Sequence, residues 1–154
     1  MIISNKEYKH MAKIKEDKQQ VYTPEHIDKL RSNEIFVFGS NLNGWHGGGA
    51  ALIAYERFGA KLGIAEGFTG QTYAIPTLDK NMKKVSSEEL TASLAKFFIK
   101  VRENKEYVFY LTKIGCGIAG WSVEEVKRIF WIIVNKFTFS GKIPNNLIIP
   151  KEFE

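Results

Sequence analysis

Residues 34–59 read EIFVFGSNLNGWHGGGAALIAYERFG, and the succession of residue types within them sets the class of fold. EIFVF at 34–38 is a near-continuous run of β-branched and aromatic residues, the pattern of a strand covered on both faces. It stops abruptly at Gly39. Beyond the loop GSNLNGWHGGG, residues Ala50, Ile53, Ala54 and Phe58 recur at helical spacing, and Gly59 supplies a stop. The unit is strand, glycine-rich loop, helix.

The alternation continues downstream. TYAI at 72–75 reads as a second strand closed by Pro76, and Ser86 with Glu89 has the capping-box spacing of a helix start. Leu90, Leu94, Phe97, Phe98 and Val101 give that helix one apolar stripe. YVFYL at 107–111 is another buried strand, followed by TKIGCGIAGW and a helix capped by Ser122 and Glu125, with Val126, Ile129, Phe130, Ile133 and Phe137 on its core face. NLII at 146–149, bounded by Pro144 and Pro150, reads as a last strand. Strands alternating with helices predict a three-layer α/β/α sandwich with a mixed, mostly parallel sheet, formed as one domain over residues 1–154. Upstream, Thr23-Pro24-Glu25 predicts a short helix through Leu30, and residues 1–22 a surface arm or short helix. The stretch Glu66–Gln71 reads either as a third wall of a binding cleft or as a turn.

A chain of 154 residues is long enough for one core that buries about two-thirds of its unfolded surface. Cys116 is the single cysteine, which excludes an intrachain disulfide and a cysteine-rich zinc site and favours a reducing, cytoplasmic setting. No metal or cofactor is required by these residues. The strongest later apolar run, FWIIV at 130–134, is too short to cross a bilayer, so no membrane partner is expected. The net charge is +5, but residues 1–31 carry seven Lys/Arg against five Asp/Glu. That is a mixed, solvated surface rather than a nucleic-acid patch, although the overall sign leaves a nucleic-acid or protein interaction module open.

Nine of the thirteen glycines fall between Gly39 and Gly70. Glycine lets backbone amides approach a ligand, and a helix opening near Gly49 would aim its unpaired N–H groups at an anion. Glycine content alone fits equally a tight turn that lets the helix pack on its strand. The loop has neither the Gly-Lys-Ser/Thr ending of a P-loop nor the G-x-G-x-x-G spacing of a Rossmann turn. Lys113–Trp121 repeats the arrangement, with Gly115, Gly117 and Gly120 between a buried strand and a capped helix. Loops leaving the carboxyl ends of strands gather at one edge of such a sheet, so the two predict a single cleft suited to a diphosphate. Trp121 fits either a stacking platform or a core position.

The stretch 34–59, TYAIPTLDK at 72–80 and TKIGCGIAGW at 112–121 together resemble macro domains, especially the subgroup containing the terminal ADP-ribose glycohydrolases. The resemblance spans residues 34–125, about three-fifths of the chain, and extends to a small-protein branch of the superfamily in phages and bacteria. It implies binding of ADP-ribose or a related NAD-derived nucleotide, free or on an ADP-ribosylated macromolecule. By the same resemblance Glu34 matches an acidic residue that contacts adenine, and Asn41, after Gly39 and Ser40, matches an asparagine near the distal ribose. Gly47, Gly48, Gly49 and Ala50 match the ribose and diphosphate loop. Gly115, Cys116, Gly117, Ile118, Ala119 and Gly120 match the second diphosphate loop, with Trp121 where an aromatic covers the distal ribose. The glycohydrolase carboxylate after Gly-Cys-Gly is replaced by Ala119, and its lysine nucleophile has a counterpart in Lys80. ADP-ribosyl hydrolysis, or removal of a phosphate from the terminal ribose, would draw on Asn41 and His46, or alternatively on Lys80 with Asp79, at the distal sugar. His46 suits proton transfer by its imidazole or anchors its loop, whereas Cys116 has no neighbouring histidine to activate it and reads as packing.

Overall fold

The computed structural model describes residues 21–154. Up to residue 20, the expected arm or helix over 1–22 lies outside them. Among the described residues five strands form one sheet: β1 (Glu34–Asn41), β2 (Gly67–Thr69), β3 (Thr72–Leu78), β4 (Val108–Leu111) and β5 (Leu147–Ile148), in the order β2-β3-β1-β4-β5. β1 runs parallel to β3 and β4, β4 parallel to β5, and only β2 is antiparallel, so the sheet is mixed and mostly parallel. Helices α1 (Gly49–Arg57), α2 (Ser87–Glu103) and α3 (Val123–Phe137) complete the α/β framework.

The period of two in β1 separates the two cores. Ile35 and Val37 pack on one face with Tyr73, Ile75, Phe109, Leu111 and the buried stripes of α2 and α3. Phe36 and Phe38 point to the opposite face, against Ala51, Ala54 and Phe58 of the α1 region. Sheet between helix layers is thus a three-layer α/β/α arrangement. The α2 stripe Leu90, Leu94, Phe97, Phe98 and Val101 is fully inside, as its spacing predicts. Ser86 Oγ accepts from Glu89 N, and Ser122 forms a complete capping box with Glu125. In α1 the buried face is Ala51 and Ala54, and Ile53 is exposed. Of the expected face, Ala54 and Phe58 are buried and Ala50 packs partly buried against the same cluster, so only Ile53 turns outward.

Three local expectations are corrected. Thr23–Leu30 contains no helix. Thr23 N donates to Ile149 O at 2.9 Å and its hydroxyl to Leu111 O at 2.7 Å, so the capping group is spent on the sheet, and Ile27 and Leu30 lie against the α1-side core. β3 does not close at Pro76 but continues to Leu78. β2 pairs only as far as Ala74, so Pro76 lies where that side of β3 has no neighbour, beside the register irregularity between Ser40 and Asn41. Glu66–Gln71 is neither a cleft wall nor a simple turn: it holds β2 and the hairpin bend at Gly70 (φ 58°).

Candidate functional site

A cavity of about 600 Å³ opens at the carboxyl ends of β1, β3 and β4. Its walls are the first loop with the start of α1 and the second loop after β4. The loops touch. A Cβ built on Gly39 would stand 3.1 Å from Gly115 N and 3.3 Å from the Thr77 side chain, so glycine is what lets β1 and the second loop approach. Gly115 itself has φ 71°, and its Cβ would lie 2.7 Å from Trp121 Cδ1.

Gly47, Gly48 and Gly117 differ from these two. They line the cavity, none has a left-handed φ, and a Cβ on any of them would meet no atom within 4 Å. Neither backbone conformation nor packing inside the described residues requires glycine there. The peptide N–H groups nearby are also unpaired: among the described residues, Gly49, Ala50 and Ala51 at the uncapped start of α1 have no acceptor, nor do Gly115, Gly117, Ile118 and Ala119 across the cavity. Gly120 N, by contrast, donates to Gly117 O and Trp121 N to Gly115 O, bonds that hold the second loop in shape.

The side chains of Asn41 and His46 are largely committed to structure. Asn41 is 7% exposed; its Nδ2 donates to Trp45 O at 2.8 Å while its Oδ1 accepts from Trp45 N at 3.0 Å. His46 is 2% exposed, with its ring edge-on to Phe38 and Nε2 2.9 Å from Lys61 O. That partner is an acceptor, so Nε2 carries the proton. Nδ1 is then left as the one buried side-chain polar atom without a hydrogen bond among the described residues, and it belongs to a residue on the cavity wall. Ser40 Oγ donates to Ala65 O, and Thr77 Oγ1 to Ser40 O at 3.2 Å, fixing the end of β1.

Of the residues read from the sequence, Gly39, Ser40, Asn41, His46, Gly47, Gly48, Gly49, Ala50, Gly115, Gly117, Ile118 and Ala119 all border this one cavity. Six do not. Glu34 sits at the opposite end of β1, roughly 23 Å along the strand from Asn41, where its carboxylate accepts from Arg31 N and Tyr110 OH. Asp79 accepts from Asn81 N and Lys83 N as a turn former, and Lys80 contributes its carbonyl to Asn43 Nδ2; neither borders the cavity. Cys116 turns its thiol to Ile114 O, and burial pushes the thiol pKa up, so it is a protonated packing group. Gly120 only shapes the loop. Trp121 is buried, donates Nε1 to Thr77 O and carries Lys84 Nζ 4.3 Å over its ring, so it is unavailable for stacking.

The structure adds three side chains to the rim, Trp45, Leu62 and Met82, which with Ile118 are exposed apolar groups around the opening, Trp45 at 66% and Ile118 at 93% exposure. Leu62 and Met82 come from separate loops, and no local pattern marks them. Trp45 was visible inside the glycine loop as a large apolar residue among small ones. No carboxylate borders the cavity among the described residues, and its one cation, Lys113, pairs with Glu25 and Glu152. Nor do the described residues contain a cluster of three His, Cys, Asp or Glu placed to hold a metal, or a helix long and apolar enough to cross a membrane.

No protein-family model matches this chain, and no curated protein matches it. A solved structure, described as that of a protein of unknown function from Bacteroides thetaiotaomicron, is similar with a TM-score of 0.56 at 14% identity, over 80% of this chain and 90% of that one. At that identity the likeness concerns the fold.

Proposed function

We propose that the cavity binds ADP-ribose or a closely related NAD-derived nucleotide, with the diphosphate held by peptide N–H groups of both glycine loops. The observation that carries this reading is the set Gly47, Gly48 and Gly117: glycines at the cavity wall that nothing within the described fold requires, beside unpaired amides on two sides. Close approach of a ligand to bare backbone accounts for them, and the start of α1 adds its dipole. The cavity volume lies inside the range of small-molecule sites. The resemblance of residues 34–125 to macro domains supplies the nucleotide class.

Binding is favoured over hydrolysis. Asp79 and Lys80 lie off the cavity, the Asn41 amide is bonded to Trp45, and Ala119 stands where the glycohydrolase carboxylate would be. The phosphates would be recognised by neutral dipoles rather than free cations, so affinity should depend only weakly on salt.

Calorimetric titration with ADP-ribose, ADP, AMP and NAD tests the reading. Saturable heat with ADP-ribose, little changed between 50 and 300 mM salt, is expected by roughly that dipolar logic. Absence of heat and of thermal stabilisation with all four ligands at millimolar concentration defeats it.

A further inference from the structure

We infer that Trp45 is the side chain that receives the nucleobase, stacked over the cavity mouth, and that Asn41 is the positioning residue that holds it there. This rests on the nucleotide reading above but not on the ligand orientation that the resemblance implies: Glu34, its adenine contact, lies at the far end of β1 and off the cavity, and the base is placed instead at the Asn41 end. An indole 66% exposed on a cavity rim is costly to leave in water and is a ready π-face for a base. Among the described residues it is the only aromatic side chain other than His46 that borders the cavity, and His46 is buried edge-on against Phe38.

Its backbone is not free to wander. The two Asn41 amide bonds, 2.8 and 3.0 Å, close residues 41–45 into a ring through both the N–H and the carbonyl of Trp45. Gly44 (φ 69°) makes the turn, and its N–H donates to Asn41 O at 2.9 Å while its carbonyl accepts from Gly63 N at 2.9 Å. An exposed aromatic on so constrained a loop is presented in advance, which lowers the ordering cost of stacking. Ile118, 93% exposed on the other loop, offers a second apolar surface at the same opening.

Intrinsic fluorescence separates Trp45 from its companions, because Trp121 is buried and Trp131 is half-buried with its Nε1 bonded to Phe153 O. ADP-ribose, ADP and AMP are titrated in parallel with ribose 5-phosphate and pyrophosphate, by emission and by calorimetry, into the wild type, Trp45→Ala and Trp45→Phe. Base-bearing ligands should quench the exposed emission of the wild type with the calorimetric midpoint. Trp45→Ala should weaken ADP-ribose by about tenfold or more while leaving pyrophosphate within about twofold, and Trp45→Phe should stay within about threefold of wild type. ADP-ribose binding unchanged in Trp45→Ala overturns the inference and leaves the nucleotide reading standing. An equal loss for pyrophosphate overturns it too, because Trp45 then shapes the loop instead of stacking. If no ligand binds the wild type, both the inference and the reading fall together.

Discussion

Gly115 and Gly117 are two residues apart in one loop, yet substitution by alanine should act on different properties of the protein. At Gly115, alanine must adopt φ 71° and place Cβ 2.7 Å from Trp121 Cδ1 and 3.2 Å from Thr77 Cγ2. The left-handed backbone costs about 1–2 kcal/mol and the forced contact about 1–3 kcal/mol, together roughly 2–5 kcal/mol. For a chain of 154 residues each kcal/mol moves Tm by about 2–4 °C, so Gly115→Ala should melt about 4–20 °C lower. At Gly117 the backbone lies outside the left-handed region and Cβ meets nothing within 4 Å. Gly117→Ala should melt within about 3 °C of wild type, or slightly higher, because the unfolded chain loses freedom. Its methyl nevertheless projects beside unpaired amides of the cavity, so ADP-ribose affinity should fall about tenfold or more, a penalty of about 1.4 kcal/mol. Circular-dichroism melts and calorimetric titration of both variants check this. A melt for Gly117→Ala as depressed as that of Gly115→Ala refutes the claim that the fold leaves position 117 free; wild-type affinity in Gly117→Ala refutes the claim that ligand occupies that space.

Asn41→Ala removes both bonds to Trp45 and should cost about 1–3 kcal/mol in urea unfolding, with Asn41→Asp, which keeps the acceptor for Trp45 N, losing less. Tyr73 and Tyr110 are both pushed up to about 12, mainly by burial, with Tyr110 also bonded to Glu34. Between pH 10 and about 12 the unfolded chain releases these protons and the folded chain keeps them, so stability is intact below pH 10 and declines through that window. Tyr73→Phe should flatten the decline in melts recorded from pH 8 to 12, and an unchanged profile would count against burial as its cause. Finally, Lys80→Ala and Asp79→Asn should leave nucleotide affinity within about twofold, since neither side chain borders the cavity; a tenfold loss in calorimetry would place those side chains in the site beside Met82.

What could be read from the chain alone is what depends on neighbours a few positions away. The Ser86 and Ser122 caps act within three residues, the stripes of α2 and α3 repeat every three or four, and the buried strands are continuous apolar runs. The α/β order and most of the first and second loops' cavity residues followed from these. Partners chosen across the sheet were not legible, because only the strand order, with β1 between β3 and β4, brings them together. That order presses Gly39 onto Gly115, draws the Trp121 indole to Thr77 O, and ties Thr23 to the ends of β4 and β5 in place of a helix. It also leaves Glu34 at the far end of the strand whose other end forms the cavity, a separation that follows simply from the length of an extended eight-residue strand. Trp45 stays outside and Trp121 goes inside for the same reason: one lies on a loop closed by its own near neighbours, the other on a loop that the sheet pulls under itself.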